Sequence, residues 1–375
     1  MDILYRFPTG APTAKLVYRT PYLYGIIERS IFRIHESGSD FTILMSGLEG
    51  ESMLADYLYG DYIYGHYLFG LTGSTVFRMD IDTYVKEVLY TLKNPVALVV
   101  TDRIYVVTDT TLISLNLDGY DVKILQTFTE TPTGIGDYIT TTRSIYRLDG
   151  TVIYTTNTDI HINPGLCELD GDIYGTTTKG GVYNRGTIFS VNKGILHSFG
   201  AEGDGYYPQR GLVAWNGYLY GATLFGGENR CGVFYRIKEA YTILYQFRDE
   251  YAMPYGNMTI VRDMLFTCTK CGIGGGTLLR FRLPTIWFAA GTKILGPTGE
   301  VRIEDMDNSR ILVASPMYSA VREGFDPLVI MADSNIITDD FVLIEKKCTF
   351  YHIDLDGFYA NGFFIAPFGV HPAIS

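Results

Sequence analysis

Cys268-Thr269-Lys270-Cys271 has the spacing of a redox or zinc pair, and it is the densest group of reactive side chains in this 375-residue sequence. A structural zinc needs two further ligands, and Cys167, Cys231 and Cys348 are scattered along the chain. Two small apolar side chains in a strand serve a core equally well. The six histidines, His35, His66, His161, His197, His352 and His371, form no His-x-x-x-His or Glu-flanked pair. Gly272-Ile273-Gly274-Gly275-Gly276 has the glycine content of a phosphate loop, but no Lys-Ser/Thr follows. It precedes a strand, so no helix N-terminus turns its N–H groups toward an anion. Gly180-Gly181 and Gly226-Gly227-Glu228-Asn229-Arg230 read as turns in the same way. Asp118, Asp149, Asp170, Asp172 and Asp204 each adjoin a glycine. Two of them converging at a channel would supply a general acid and a general base, and spacing does not select which two. The expectation is therefore no catalytic residue, no cofactor-binding residue, no metal ligand and no cofactor.

The elements around these residues repeat. An apolar pair with Tyr-Gly, a Gly-Thr-Val-Phe-Arg-like strand and an Ile-Leu-Tyr-x-Phe strand recur at intervals of roughly forty residues. Clear copies are Tyr22-Leu23-Tyr24-Gly25, Ile31-Phe32-Arg33-Ile34 and Phe41-Thr42-Ile43-Leu44, and then Tyr218-Leu219-Tyr220-Gly221, Gly232-Val233-Phe234-Tyr235-Arg236-Ile237 and Thr242-Ile243-Leu244-Tyr245-Gln246-Phe247. With the Tyr of each inner strand as marker, the copies fall at Tyr24, Tyr64, Tyr105, Tyr138, Tyr174, Tyr220 and, in the seventh place, Phe266. A period of this size in β-rich sequence points to an all-β, seven-bladed propeller over residues 1–284. The seventh copy lacks its last strand, and Ile3-Leu4-Tyr5-Arg6-Phe7 matches Ile243-Leu244-Tyr245-Gln246-Phe247 almost residue for residue. An open ring leaves unpaired strand edges, so the N-terminal segment is expected to supply the outer strand of blade 7. The plainer alternative is an unrelated amphipathic strand.

The best-preserved blades resemble a family of tandem β-propeller repeats with Leu-Tyr-Gly-Thr-Thr, Gly-Gly-x-x-x-x-Gly-Thr-Val-Phe and Leu-x-x-Phe signatures. Here these are Ile173-Tyr174-Gly175-Thr176-Thr177, Gly180 through Phe189, and Leu196-His197-Ser198-Phe199. The family's Asp-Gly-x-x-Pro is matched by Asp204-Gly205-Tyr206-Tyr207-Pro208. The resemblance implies a fold and carries no single activity.

At Pro284 the repeat stops. Trp287-Phe288-Ala289-Ala290-Gly291-Thr292-Lys293-Ile294, Gly299 through Met306, and Phe358-Tyr359-Ala360-Asn361-Gly362 resemble the opening and closing phrases of a Hint domain, the self-processing module of inteins and hedgehog proteins. The resemblance implies a small all-β domain over 285–375. Self-processing needs a Cys or Ser at the first position of the motif, and Trp287 stands there; an indole cannot attack a carbonyl. The activating His has no counterpart in Ile344-Glu345-Lys346-Lys347-Cys348, and the terminal Asn of splicing is absent from Pro372-Ala373-Ile374-Ser375. The domain reads as a degenerate Hint fold.

Composition narrows the function classes. Hydrophobic residues make up 47% of the chain, with 30 Tyr and 21 Phe, which suits a large pleated core. A formal charge of −11 without a Lys/Arg block disfavours nucleic acid and anionic membrane surfaces. No apolar run approaches a bilayer-spanning length, and the first residues lack a signal-peptide pattern, so an intracellular or virion location is expected. The leading reading is a non-enzymatic scaffold for protein contacts, with self-association or a larger assembly as its partners. The repeat-plus-Hint pairing looks like proteins of large DNA viruses of protists. The competing readings are a channel hydrolase, lyase or carbohydrate-binding lectin, and residual self-cleavage near Trp287.

Overall fold

A computed structural model describes residues 1–12, 16–48, 63–64, 67–156, 160–208, 211–238, 240–248, 252–255, 258–270 and 275–283, and beyond them ten short strands between 288 and 371. The chain divides into two compact units, Met1–Arg282 and Leu283–Ser375. The first contains seven antiparallel sheets, one per blade. No helix occurs among the described residues.

One physical pattern recurs around the ring. Blade 1 runs Val17–Arg19, Tyr22–Ile27, Ser30–His35 and Thr42–Met45 in sheet order, from the innermost strand to the outermost. Between the second and third strands, Gly25 stands opposite Phe32, Gly70 opposite Phe77, Gly175 opposite Phe189 and Gly221 opposite Tyr235. The aromatic ring lies across the glycine. A Cβ on Gly25 would come within 2.7 Å of the Phe32 ring, and one on Gly221 would collide with the Tyr235 hydroxyl. The Tyr-Gly and Val-Phe phrases are thus the two halves of one cross-strand contact. Blades 3 and 7 fill the same position with Val106–Ile113 and Thr267–Leu279 pairs.

The Ile-Leu-Tyr-x-Phe phrase has its own cause. In all seven blades the pairing of third and fourth strands skips one residue. The skipped residues are Leu44, Leu89, Leu125, Ile153, Leu196 and Leu244 in blades 1 to 6, and Leu4 in blade 7. Each is a β-bulge, which reverses the in–out alternation and bends the edge. The Phe at the end of the phrase then turns into the next blade. Phe199 lies 5.3 Å from Tyr235, Phe128 is 5.2 Å from Tyr146, and Phe247 is 6.1 Å from Phe281. Phe7, Phe199 and Phe247 are buried.

The ring closes as the repeat demands. Asp2–Arg6 pairs antiparallel with Thr277–Arg282, opposing Tyr5 to Leu278 and Ile3 to Leu279 around the bulged Leu4. Phe7 then enters blade 1, 5.4 Å from Phe32. The N-terminal segment is the outer strand of blade 7.

Two details differ from expectation. The Tyr-bearing strands are second, not innermost; in blades 1, 5 and 7 the innermost strands are the three-residue segments Val17–Arg19, Cys167–Leu169 and Thr259–Val261. In blade 2, Ile63–Tyr64 is the innermost strand, and Phe69 of Tyr67–Thr72 occupies the place expected for Tyr64. In blade 4, Ile139 pairs with Tyr146 just past the register shift, so Tyr138 keeps the place of Tyr24.

The strands described in the second unit form three sheets. Phe288–Ala289, Cys348–His352 and Ala320–Gly324 form one, and Leu328–Met331 pairs with Phe341–Ile344 in another. The third orders Gly299–Arg302, Lys293–Gly296, Phe358–Ala360, Phe363–Ala366 and Gly369–His371. Pro284, Trp287 and Asn361 lie outside the described residues.

Candidate functional site

The innermost strands of blades 1, 5, 6 and 7 surround a cavity of about 480 Å³ at the centre of the ring. Its wall mixes apolar side chains, among them Leu16, Val17, Leu212, Met258 and Ile260, with the polar groups of Tyr18, Asp137, Cys167, Glu168 and Thr259. Tyr18 donates its hydroxyl to Glu36 Oε2 at 2.5 Å, and Arg262 Nη1 stands 3.5 Å from Glu36 Oε1. Tyr138 donates to Glu168 Oε2 at 3.1 Å. Both phenols are raised above the ordinary value, by burial first and then by the neighbouring carboxylate. Burial pushes the Cys167 thiol up to about 12, so it stays protonated at neutral pH and is a poor nucleophile. Asp137 and Glu168 are exposed at the channel mouth. Sequence reasoning passed both by, because they sit on or beside very short strands with no periodic signal.

The five acidic residues singled out by their glycine neighbours do not meet there. Asp118 pairs with Arg78 at 2.8 Å, and Asp149 accepts the Thr151 N–H at 2.8 Å. Asp170 is a left-handed turn residue, φ 53°. Asp172 is buried and accepts from Ser190 Oγ at 2.5 Å and from the N–H groups of Ile173 and Asn192. Asp204 is also buried and accepts from His197 Nε2 at 2.9 Å and from the N–H groups of Gly200 and Gly205. Asp149, Asp172 and Asp204 hold local turns, as their glycine neighbours imply, while Asp118 ties blade 3 to Arg78 of blade 2.

The other sequence candidates are equally local. His197, in the Tyr position of its strand, stacks on Tyr241 at 3.8 Å and 9°. Burial and the Asp204 carboxylate hold the Tyr241 phenol far above its usual range. Cys268 is buried opposite Leu278, while Cys271 and Gly272 through Gly274 lie outside the described residues. His66 lies outside them as well. Gly276 donates to the Gly10 carbonyl and accepts from the Phe7 N–H at 2.9 Å, so this turn anchors the closing strand. Among the described residues, no group of three or more His, Cys, Asp or Glu is placed to hold a metal.

The perimeter offers a different surface. The bulge that turns Phe inward turns the first residue of the same phrase outward. Ile3, Ile43, Val88, Ile124, Val152 and Ile195 are all exposed, Ile124 to 68% and Ile195 to 60%. They occupy one position in six of the seven blades, each opposite the third-strand residue just past the register shift.

No curated protein matches the chain. Among solved structures, the extracellular domain of a hybrid two component system from B. thetaiotaomicron is similar at 12% identity and TM-score 0.56, over 77% of this chain. The chain spans 40% of that protein's length. The mitotic checkpoint complex is similar at 11% identity and TM-score 0.52, over 73% of this chain and 90% of that one. No helix among the described residues is long and apolar enough to cross a membrane. Residues 138–304 match the Gloeobacter/Verrucomicrobia repeat, and the chain is a seven-bladed repeat β-propeller.

Proposed function

We propose that this protein is a non-enzymatic scaffold that assembles through the perimeter of its propeller. The observation that carries this reading is the belt of exposed Ile and Val side chains on the outer strands. Edge strands present unpaired N–H and C=O groups, and natural proteins usually guard them with charge. Here the guard position is β-branched and apolar in six blades. Contiguous apolar surface is characteristic of interaction sites, and stacked copies would join these single side chains into such a surface. The occupant is further copies of the same chain or a larger assembly built from them, a virion among the settings we propose. The C-terminal unit fits this role as a Hint-type fold without processing chemistry, given Trp287 at the nucleophile position.

Light scattering on size-exclusion fractions tests the reading. Wild-type chain is expected to associate with rising concentration, and Ile124→Lys combined with Ile195→Lys to elute as monomer throughout. A wild type that is monomeric at every concentration contradicts it. The channel is the second reading, favoured by the 480 Å³ cavity with Asp137 and Glu168 at its mouth. It predicts instead that Asp137→Asn abolishes turnover or binding of a sugar library.

A further inference from the structure

One end of blade 1 carries two arginines on one face of its sheet. Val17 stands opposite Tyr24 and Arg19 opposite Tyr22 across the first strand pair. Across the next pair, Tyr24 faces Arg33 and Tyr22 faces His35. Arg19, Tyr22, Tyr24, Arg33 and His35 therefore share one face of the sheet. The Arg33 guanidinium lies 4.6 Å from the Tyr22 ring centroid, and both arginines act on the Tyr24 phenol. Arg19 Nη1 and Arg33 Nε are shut off from solvent, and neither meets an acceptor among the described residues. His35 turns its Nδ1 to Ser37 Oγ at 2.7 Å.

A guanidinium stays charged at any accessible pH, and desolvating it without a partner is costly. In blades 2 and 7 the third-strand arginine is neutralised. Arg78 of blade 2 reaches Glu87 and Asp118, both at 2.8 Å, and Arg280 of blade 7 reaches Asp2 at 2.8 Å. Blade 6 repeats half of the blade 1 arrangement. Arg236 lies 4.7 Å from the Tyr218 ring, but Trp215 takes the place of Arg19, its Nε1 also buried and without an acceptor. Blade 1 alone among these brings two guanidinium forks to one face with no carboxylate between them. Two forks match the several oxygens and double charge of a phosphate group better than they match a single carboxylate. Arg19 and Arg33 are each half-buried rather than sealed in the core.

We propose that Arg19 and Arg33 form a binding site for a phosphate-type oxyanion at the end of blade 1. The test is calorimetric titration of the full chain with inorganic phosphate, at ionic strength held constant with chloride. The expected result is one saturable site, weakened about tenfold or more by Arg19→Gln, because a charge-assisted contact is lost. Arg33→Lys keeps the charge, loses the fork and weakens binding as well, while Arg236→Gln leaves it unchanged. Arg19 lies on an edge strand of three residues, so Arg19→Gln decides the matter even if a substitution at Arg33 disturbs the blade. A phosphoserine peptide run beside inorganic phosphate separates the two sources of this chemistry. Equal affinity supports a site for free anion, and tighter peptide binding supports a site for a phosphorylated chain. Absence of saturable phosphate binding, or binding that Arg19→Gln and Arg33→Lys leave intact, overturns the proposal.

Discussion

In blade 5 the outermost strand, Gly194–Ser198, turns Ile195 to solvent, while the innermost strand, Cys167–Leu169, holds its thiol in the wall of the channel. The same contrast runs around the ring: β-branched apolar residues face outward on the edge strands, and the inner side presents two carboxylates, Glu168 on a short strand and Asp137 in the turn beside one. The bulge produces the difference. Without it, strict alternation would place Ile195 and His197 on the same face, together with Phe199. With it, one apolar residue per blade is left outside while the Phe is buried. The most visible sequence phrase of this protein therefore encodes two jobs, a lock between blades and a belt around them.

The largest expected effect tests the lock. Phe247→Ala should destabilise the fold by about 3–5 kcal/mol in denaturant unfolding, the usual range for a buried aromatic. An innermost-strand change of similar chemistry, Ile260→Ala at the half-buried channel wall, should cost clearly less. Equal losses would erase the distinction between the two edges of a blade.

Alkaline pH gives the next effect, on the inner strand. The Cys167 thiol is raised from 9.0 to about 12 by burial, so the folded state keeps the proton that the unfolded chain releases above pH 9. Its contribution is fully present below pH 9 and is lost as pH climbs toward 12. Cys167→Ala should flatten that part of the stability curve, and in the wild type Cys167 should resist alkylation at pH 8. Rapid alkylation without unfolding would show the channel wall to be open.

The smallest effect on stability belongs to the belt. Ile124→Lys should change unfolding free energy by no more than about 0.5 kcal/mol, as exposed positions usually do, while weakening association. A large loss of stability would mean that Ile124 is packed and that the outward turn at the bulge is misplaced.

Much of this was legible in the sequence. Seven copies and the match of Ile3–Phe7 to Ile243–Phe247 were enough to place the closing strand, because a bulge and a buried Phe leave a rigid five-residue signature. The innermost strands of blades 1, 5, 6 and 7 were not legible: at three residues they are too short for alternation to register, so the longer Tyr-bearing strands took their place. Blade 2 offered Tyr64-Gly65 as well as Phe69-Gly70, and only pairing with Phe77 distinguishes the two. Exposure of the leading Ile was hidden for a different reason. A one-residue bulge inverts the face of every residue beyond it, and composition carries no record of that inversion. The placement of Arg19 and Arg33 on one face crosses two strand interfaces and could be found only from register.

Hydrogen–deuterium exchange on the wild-type chain, dilute and concentrated, tests the perimeter reading most directly. The account predicts that concentration slows exchange along the outer strands Lys123–Thr127 and Gly194–Ser198, and leaves the channel strands Cys167–Leu169 and Thr259–Val261 unchanged. Protection confined to the channel strands, or none at any concentration, would contradict it.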